Sequence, residues 1–207
     1  MDFIKKYGKF ILVGILLFIF VLIVRWLIHD SLSGFDTAIY NFVSSFRNPV
    51  LTFIFSAISF FASPYFLIIL SICLFLIFRN KKYGLLSFVN LCVVILTNQV
   101  LKLIFTRERP FEWMITNEFG YSFPSGHAMV SVGFYGMIIY LIWRTNLDKK
   151  YKKLWTIILI TLMILIGLSR IYLGVHYASD IVAGFTLSLS YLIIATSLID
   201  YYLKKTR

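Results

Sequence analysis

Charge is scarce in this chain of 207 residues. Asp, Glu, Lys and Arg together make up 14% of it, against about a quarter in soluble domains. With 60% hydrophobic residues and a mean hydropathy of +0.87, an ordinary soluble domain is excluded. Apolar runs of near-bilayer length recur along the whole sequence, which implies an all-α, polytopic membrane protein. Acidic residues are the scarcer of the two signs, 9 against 20 Lys and Arg. No cluster of carboxylates suggests a metal site, so neither a metal nor another cofactor is expected. Cysteine is nearly absent. Cys73 and Cys92 each fall inside an apolar run and form no CxxC pair, which argues against a disulfide framework or thiolate site. Both read as small buried hydrophobes.

A net charge of +11 raises nucleic acid as a partner, but the basic residues sit in short stretches between apolar runs. That is the pattern of membrane topology, so the bilayer is the expected partner and nucleic acid is not. The N-terminal stretch MDFIKKYGKF and the apolar run to Val24 exceed a signal-peptide core. No small-x-small cleavage site follows, so the stretch reads as a retained first span.

Six spans are expected, at about 9–28, 64–78, 84–104, 126–143, 155–173 and 180–200. The apolar segment 50–62 would reach only about 20 Å as a helix. It ends at Ser63 and Pro64, a natural break. If it extends the second span, four basic stretches share one side: Lys5, Lys6, Lys9; Arg79, Lys81, Lys82; Arg144, Lys149, Lys150, Lys152, Lys153; and Lys204, Lys205, Arg207. These are 14 of the 20 Lys and Arg. An independent crossing at 50–62 would split them, against the positive-inside tendency. The expected layout is therefore a single domain over 1–207 with both termini cytoplasmic. Between the first two spans, Leu32, Phe35, Ile39, Phe42, Val43 and Phe46 recur at 3–4 spacing, the pattern of an amphipathic helix on the outer surface. Trp26, Trp113, Trp143 and Trp155 fall near span ends and read as interface anchors.

The remaining basic residues, Arg25, Arg47, Lys102, Arg107, Arg109 and Arg170, lie on the side that orientation disfavours. Ionisable groups at membrane depth usually mark function, and this set implies a bound anion. In FPSGHAMV (123–130), Pro124, Ser125 and Gly126 open the fourth span with Ser125 as N-cap. The free N–H groups of a helix start are a phosphate cradle. His127 stands in that first turn, where the helix end disfavours an imidazolium and a bound phosphate offsets this. His176 and Asp180 are four residues apart. On one helical face, the carboxylate can hold one imidazole nitrogen and leave the other free to attack. Cations, a helix-start cradle and two histidines suit phosphoryl transfer through a phosphohistidine, one histidine attacking and the other protonating the leaving oxygen. Asn98 shares a face with Lys102, as its hydrogen-bond partner or as glue between spans. Ser169 orients Arg170 or the phosphate, or merely packs. Arg107 and Glu108 read as a loop ion pair or as contacts to a headgroup, the former favoured, and Glu112, Asn117 and Glu118 as solvated loop residues near enough in sequence to filter substrates.

Lys102-x6-Arg109-Pro110, Pro124-Ser125-Gly126-His127 and Ser169-Arg170-x5-His176-x3-Asp180 together resemble the three signatures of the type 2 phosphatidic acid phosphatase (PAP2) superfamily. The motifs cover 102–180 in the right order and spacing. The resemblance implies a six-span enzyme that needs no metal and hydrolyses a lipid phosphate or diphosphate, such as phosphatidylglycerophosphate, phosphatidic acid or undecaprenyl diphosphate, on the extracytoplasmic face of a bacterial-type membrane. It implies His176 as nucleophile, Asp180 as its orienting partner and His127 as the acid. Lys102, Arg109, Ser125, Gly126 and Arg170 would hold the phosphate. Two other enzyme readings share the same anion site, a lipid phosphotransferase and a vanadium-dependent haloperoxidase. The latter are typically soluble, and the spans count against that reading. A transporter or scaffold would leave the convergence of cations and histidines unexplained.

Overall fold

In a computed structural model, residues 2–77 and 81–205 are described, and all their regular structure is helical. Arg79 and Arg207, counted in the inner basic set, lie outside those residues, as does the expected end of the second span at 78. In chain order the helices are α1 (Asp2–Ile28), α2 (Ser33–Ser44), α3 (Pro49–Phe60), α4 (Pro64–Ile77) and α5 (Lys81–Phe105). After a long loop come α6 (Gly126–Val130), α7 (Gly136–Trp143), α8 (Lys149–Tyr172) and α9 (Ala178–Lys205). Among the described residues, five stretches are long and apolar enough to cross a membrane alone, and α3 with α4 makes a sixth as one span bent by 48°.

That bend has local causes. Asn48 caps α3 by accepting from Leu51 N at 2.9 Å, with Pro49 at the first helical position. Pro64 restarts the helix after the break, where Ser63 Oγ accepts from Phe66 N. Tyr135 donates its hydroxyl to the freed carbonyl of Phe61 at 2.5 Å. Tyr135 can do so from a single π turn, Ser131–Tyr135, that joins α6 to α7 inside the fourth span. Buried side chains answer the irregular backbone. Asn90 Nδ2 donates to Gly133 O at 2.8 Å, and Ser188 Oγ donates to Met129 O at 2.7 Å.

The fourth span is the hub: 61% of it is buried, against 11% of the first. Met129, Phe134 and Tyr135 from it meet Leu67, Leu91 and Ile166 in the largest apolar cluster. The fifth span begins at Lys149, earlier than the expected 155, because the basic run 149–153 is already helical. Cys73 is exposed on the outside of the bundle and Cys92 is half-buried, so the expectation of two buried thiols is corrected. Both sit on spans apolar enough to cross a membrane, where an apolar thiol needs no burial within the bundle.

The surface helix forms as α2, but its apolar residues divide. Ile39 and Val43 pack inward with Ala128, Ile171 and Ile181, and Leu32 packs with Ile23 and Ala183. Phe35, Phe42 and Phe46 remain exposed. Asp36 lies on the inward face and is only 1% exposed.

Candidate active site

Helices α5 and α8 end, and α6 and α9 begin, at one end of the bundle. The motif residues are therefore terminal: Lys102 and Arg170 in last turns, His127 and Asp180 in first turns. Arg109 and His176 lie in the adjoining loops. The α8–α9 turn depends on Gly174, whose φ is +71° and whose place a Cβ would bring within 1.9 Å of the Trp113 carbonyl oxygen. Arg47 clamps the same spot, donating to the carbonyls of Trp113 and Tyr172. Ser125 caps α6 through Oγ, 3.5 Å from Ala128 N. Asn98 bonds not to Lys102 but to the capping loop, donating to Pro124 O at 2.9 Å. Gly126 allows this approach, since a Cβ there would sit 2.9 Å from Asn98 Oδ1.

Lys102, Arg109, Glu118, Gly126, His127 and His176 line a cavity of about 270 Å³. Ser125, Arg170 and Asp180 are not part of that lining. Asp180 stands behind His176, and Arg170 reaches the cavity's wall through Glu118. His176 Nδ1 is 3.3 Å from Asp180 Oδ2, and Nε2 is 3.3 Å from Arg109 Nη1. Burial pushes the imidazole down to about 4, with Asp180 opposing and Arg109 and Arg170 adding to it. A neutral ring with Nδ1 turned to the carboxylate leaves the Nε2 lone pair on the cavity side.

Arg109 is fixed by donating to the carbonyls of Phe119, Gly120 and Val175. Burial lowers its pKa, with Glu118 and Asp180 opposing. Arg170 donates to Ser59 Oγ beside the α3–α4 break and to Glu118, and its buried Nε–H has no partner among the described residues. Ser169 Oγ donates to Ile166 O in its own helix rather than to Arg170.

Three loop expectations need correction. Glu118 is not a solvated loop residue: it pairs with Arg170, and Oε2 lies 3.9 Å from Arg109 Nη2. Burial works against its charge, but Arg170 and Arg109 hold its carboxyl below the usual range. The cause is the folding-back of the loop on Arg109, which draws residues 118–120 over the cations. Arg107 does not pair with Glu108; it bridges Asp36 and Asp180 at 2.8 and 2.6 Å. Trp113 is no free anchor, because it stacks on Tyr40 at 4.1 Å and meets Tyr177 edge-on.

Ser122, Ser59 and Asp36 escaped the sequence reading. Ser122 donates to Asp180 Oδ2 and lies 3.2 Å from His176 Nδ1. Neither serine carries a spacing signal. Asp36 does: it shares one helical face with Leu32, Ile39 and Val43, and an acid in an apolar stripe asks for a buried cation.

The chain has relatives among known proteins, in sequence and in fold. The PAP2 superfamily profile matches residues 82–204. Phosphatidylglycerophosphatase B of Bacillus subtilis is 34% identical over 178 residues, covering 84% of this chain and 88% of that protein. An undecaprenyl-diphosphatase of Sulfolobus acidocaldarius is 26% identical, covering 88% and 87%. The crystal structure of a transmembrane PAP2-type phosphatidylglycerolphosphate phosphatase from Bacillus subtilis superposes with a TM-score of 0.82 at 28% identity, covering 94% and 97%. Aquifex aeolicus LpxE shares the fold, with a TM-score of 0.65 at 23% identity over 78% and 94%. The profile covers the stretch of chain that holds every motif residue, and the Bacillus relative covers most of both chains: this protein belongs to the PAP2 superfamily.

Proposed function

We propose that this chain, acting as one domain, is a lipid phosphatase that hydrolyses a phosphate monoester or diphosphate of a membrane lipid through a phosphohistidine on His176. The observation that carries the reading is His176 itself: Nδ1 faces Asp180, while Nε2 faces Arg109 in a cavity shared with Lys102 and His127. Nε2 attacks the terminal phosphorus in line, and the bond from that phosphorus to its leaving oxygen breaks, an oxygen that belongs to the lipid alcohol in a monoester and to the lipid monophosphate in a diphosphate. His127 gives its proton to that oxygen. Water then attacks the P–N bond, His127 takes the water's proton, and inorganic phosphate leaves with the imidazole restored. Lys102 and Arg109, with the Gly126 backbone N–H, hold the phosphoryl oxygens from the cavity wall. Ser125 and the Nε–H of Arg170, unpartnered among the described residues, lie outside that wall and would complete the set once a phosphate draws them in.

The substrate class follows from the names of the relatives, which act on phosphatidylglycerophosphate and undecaprenyl diphosphate. The extracytoplasmic position of the site follows from charge. Lys9, Lys82, Arg144 and Lys149 lie at the helix ends remote in chain order from the motif residues, and the positive-inside tendency puts that end in the cytoplasm. The test is phosphate release from a panel of lipid mono- and diphosphates by the native protein, His176→Ala and His127→Ala. His176→Ala abolishes turnover, EDTA leaves native turnover intact, and orthovanadate inhibits. Full activity in His176→Ala, or strict dependence on a divalent metal, contradicts the reading.

A further inference from the structure

Asp180 is wholly buried and divides its two oxygens between two sets of partners. Oδ2 faces the site: it accepts from Ser122 Oγ and from Tyr177 N at 3.0 Å, and meets His176 Nδ1. Oδ1 faces away and accepts from Arg107 Nη1 at 2.6 Å. Arg107 is itself held on three sides. Nη2 donates to Asp36 Oδ2 at 2.8 Å, Nη1 also donates to Ser179 Oγ at 2.8 Å, and the guanidinium lies over the Tyr177 ring at 3.9 Å. Asp36 in turn accepts from Ser179 N and Oγ at 2.8 and 2.7 Å. It thereby caps the start of α9 from another helix. Arg107 and Asp36 belong to none of the three motifs, and neither lines the cavity.

We propose that Arg107 and Asp36 are positioning residues for the His176–Asp180 dyad: Asp36 fixes Arg107, Arg107 fixes the outer oxygen of Asp180, and the inner oxygen is thereby held toward the imidazole. The surface helix α2 thus becomes a wall of the active site, joined to the dyad through one guanidinium. A rigid guanidinium fork suits this place, because two different nitrogens serve the two carboxylates at once. Burial alone would lower the pKa of Arg107, and Asp180 and Asp36 reverse this and raise it above its ordinary value. The inference rests on the proposed role of His176 as nucleophile.

The other charges facing the dyad are Arg109 and Glu118 from the loop, Lys102 from α5, His127 from α6 and Arg170 from α8. With these unchanged, removing Arg107 takes a positive charge from beside the dyad and favours its protonation. Removing the Asp36 charge leaves Arg107 less compensated and disfavours protonation. Any loosening of the site readmits water and raises the midpoint of a buried histidine in both variants. The sign in the Asp36 variant therefore separates positioning by charge from a merely structural cap.

The experiment follows the imidazole resonances of the full chain in detergent micelles by 15N NMR. The chain has three histidines, and His176→Ala assigns the one required. The expected midpoint rises by about one unit in Arg107→Gln. In Asp36→Asn it falls, so that His176 stays neutral where the native ring is half protonated. The double variant lies between. Asp36→Ser, which keeps an acceptor for Ser179 N but no charge, moves in the same direction as Asp36→Asn and stands in for it if that variant does not fold. In parallel, kcat for phosphate release falls on the order of tenfold or more in Arg107→Gln, and Arg107→Lys does not restore it. A midpoint that rises or stays fixed in the Asp36 variants overturns the inference. Turnover surviving in His176→Ala removes the nucleophile assignment instead, and the midpoints still decide what Arg107 and Asp36 do.

Discussion

Replacing Asp180 with Asn keeps the shape of the side chain and removes its charge. The carboxylate accepts from Arg107 on one oxygen and from Ser122 and Tyr177 N on the other, which also lies 3.3 Å from His176 Nδ1. An amide can satisfy only one of these sides. With its NH2 turned inward, it presents a donor to Nδ1, and the ring must move its proton to Nε2, the nitrogen required for attack. With NH2 turned outward, it opposes the Arg107 cation. In both orientations the positive charge that develops on the ring loses its counter-charge. At 3.3 Å and an effective dielectric of about 20, that loss is about 5 kcal/mol, or roughly three to four orders of magnitude in rate. The assay is kcat/KM for phosphate release from a lipid phosphate in detergent, on protein shown to be monodisperse and helical. A folded Asp180→Asn enzyme keeping more than about a tenth of native kcat/KM refutes this account of the dyad.

Gly174→Ala places a Cβ 1.9 Å from a backbone oxygen that Arg47 also holds, in a backbone conformation with φ +71°. The loss in stability exceeds about 3 kcal/mol, read as a lowered thermal midpoint in detergent; an unchanged midpoint contradicts the turn as described. Stability also follows pH through His176. Its folded-state pKa of about 4 lies below the ordinary 6.5, so within that window the unfolded chain binds a proton that the folded one does not. Stability therefore falls as pH drops from 6.5 toward 4, by up to about 3 kcal/mol. Comparison of native protein with His176→Ala at pH 7 and pH 4.5 isolates the effect, and equal losses in both contradict it. Gly126→Ala forces Asn98 off the Pro124 carbonyl and lowers kcat/KM by about tenfold or more, following an overpacking cost of 1–3 kcal/mol. Native kinetics in that variant would show that the capping loop needs no such support.

The spans and the motif residues were legible because each rests on a local signal. Apolar length marks α1, α5, α8 and α9, and the proline at 64 marks the bend. Spacing of four marks His176 and Asp180, and a capping serine marks the start of α6. What was not legible depends on how the long loop 106–125 folds back. Arg107 sits beside Glu108 in sequence, but its partners are 71 and 73 residues away. Glu118 looked solvated because nothing local shows that Arg109 ties the carbonyls at 119 and 120 beneath it. The π turn in the fourth span also lay beyond reach, since it answers the carbonyl freed at Phe61 in another span. Asp36 was the one missed residue with a visible signal, an acid in the inward stripe of α2.

The central claim is that His176 carries the phosphoryl group. The direct measurement is rapid acid-free quenching of the enzyme with a 32P-labelled lipid phosphate, followed by mapping of the labelled peptide. The account predicts an acid-labile, base-stable phosphoryl group on the peptide containing His176, absent from His176→Ala. Label on His127, or release of phosphate with no labelled histidine under conditions that trap the steady state, contradicts it.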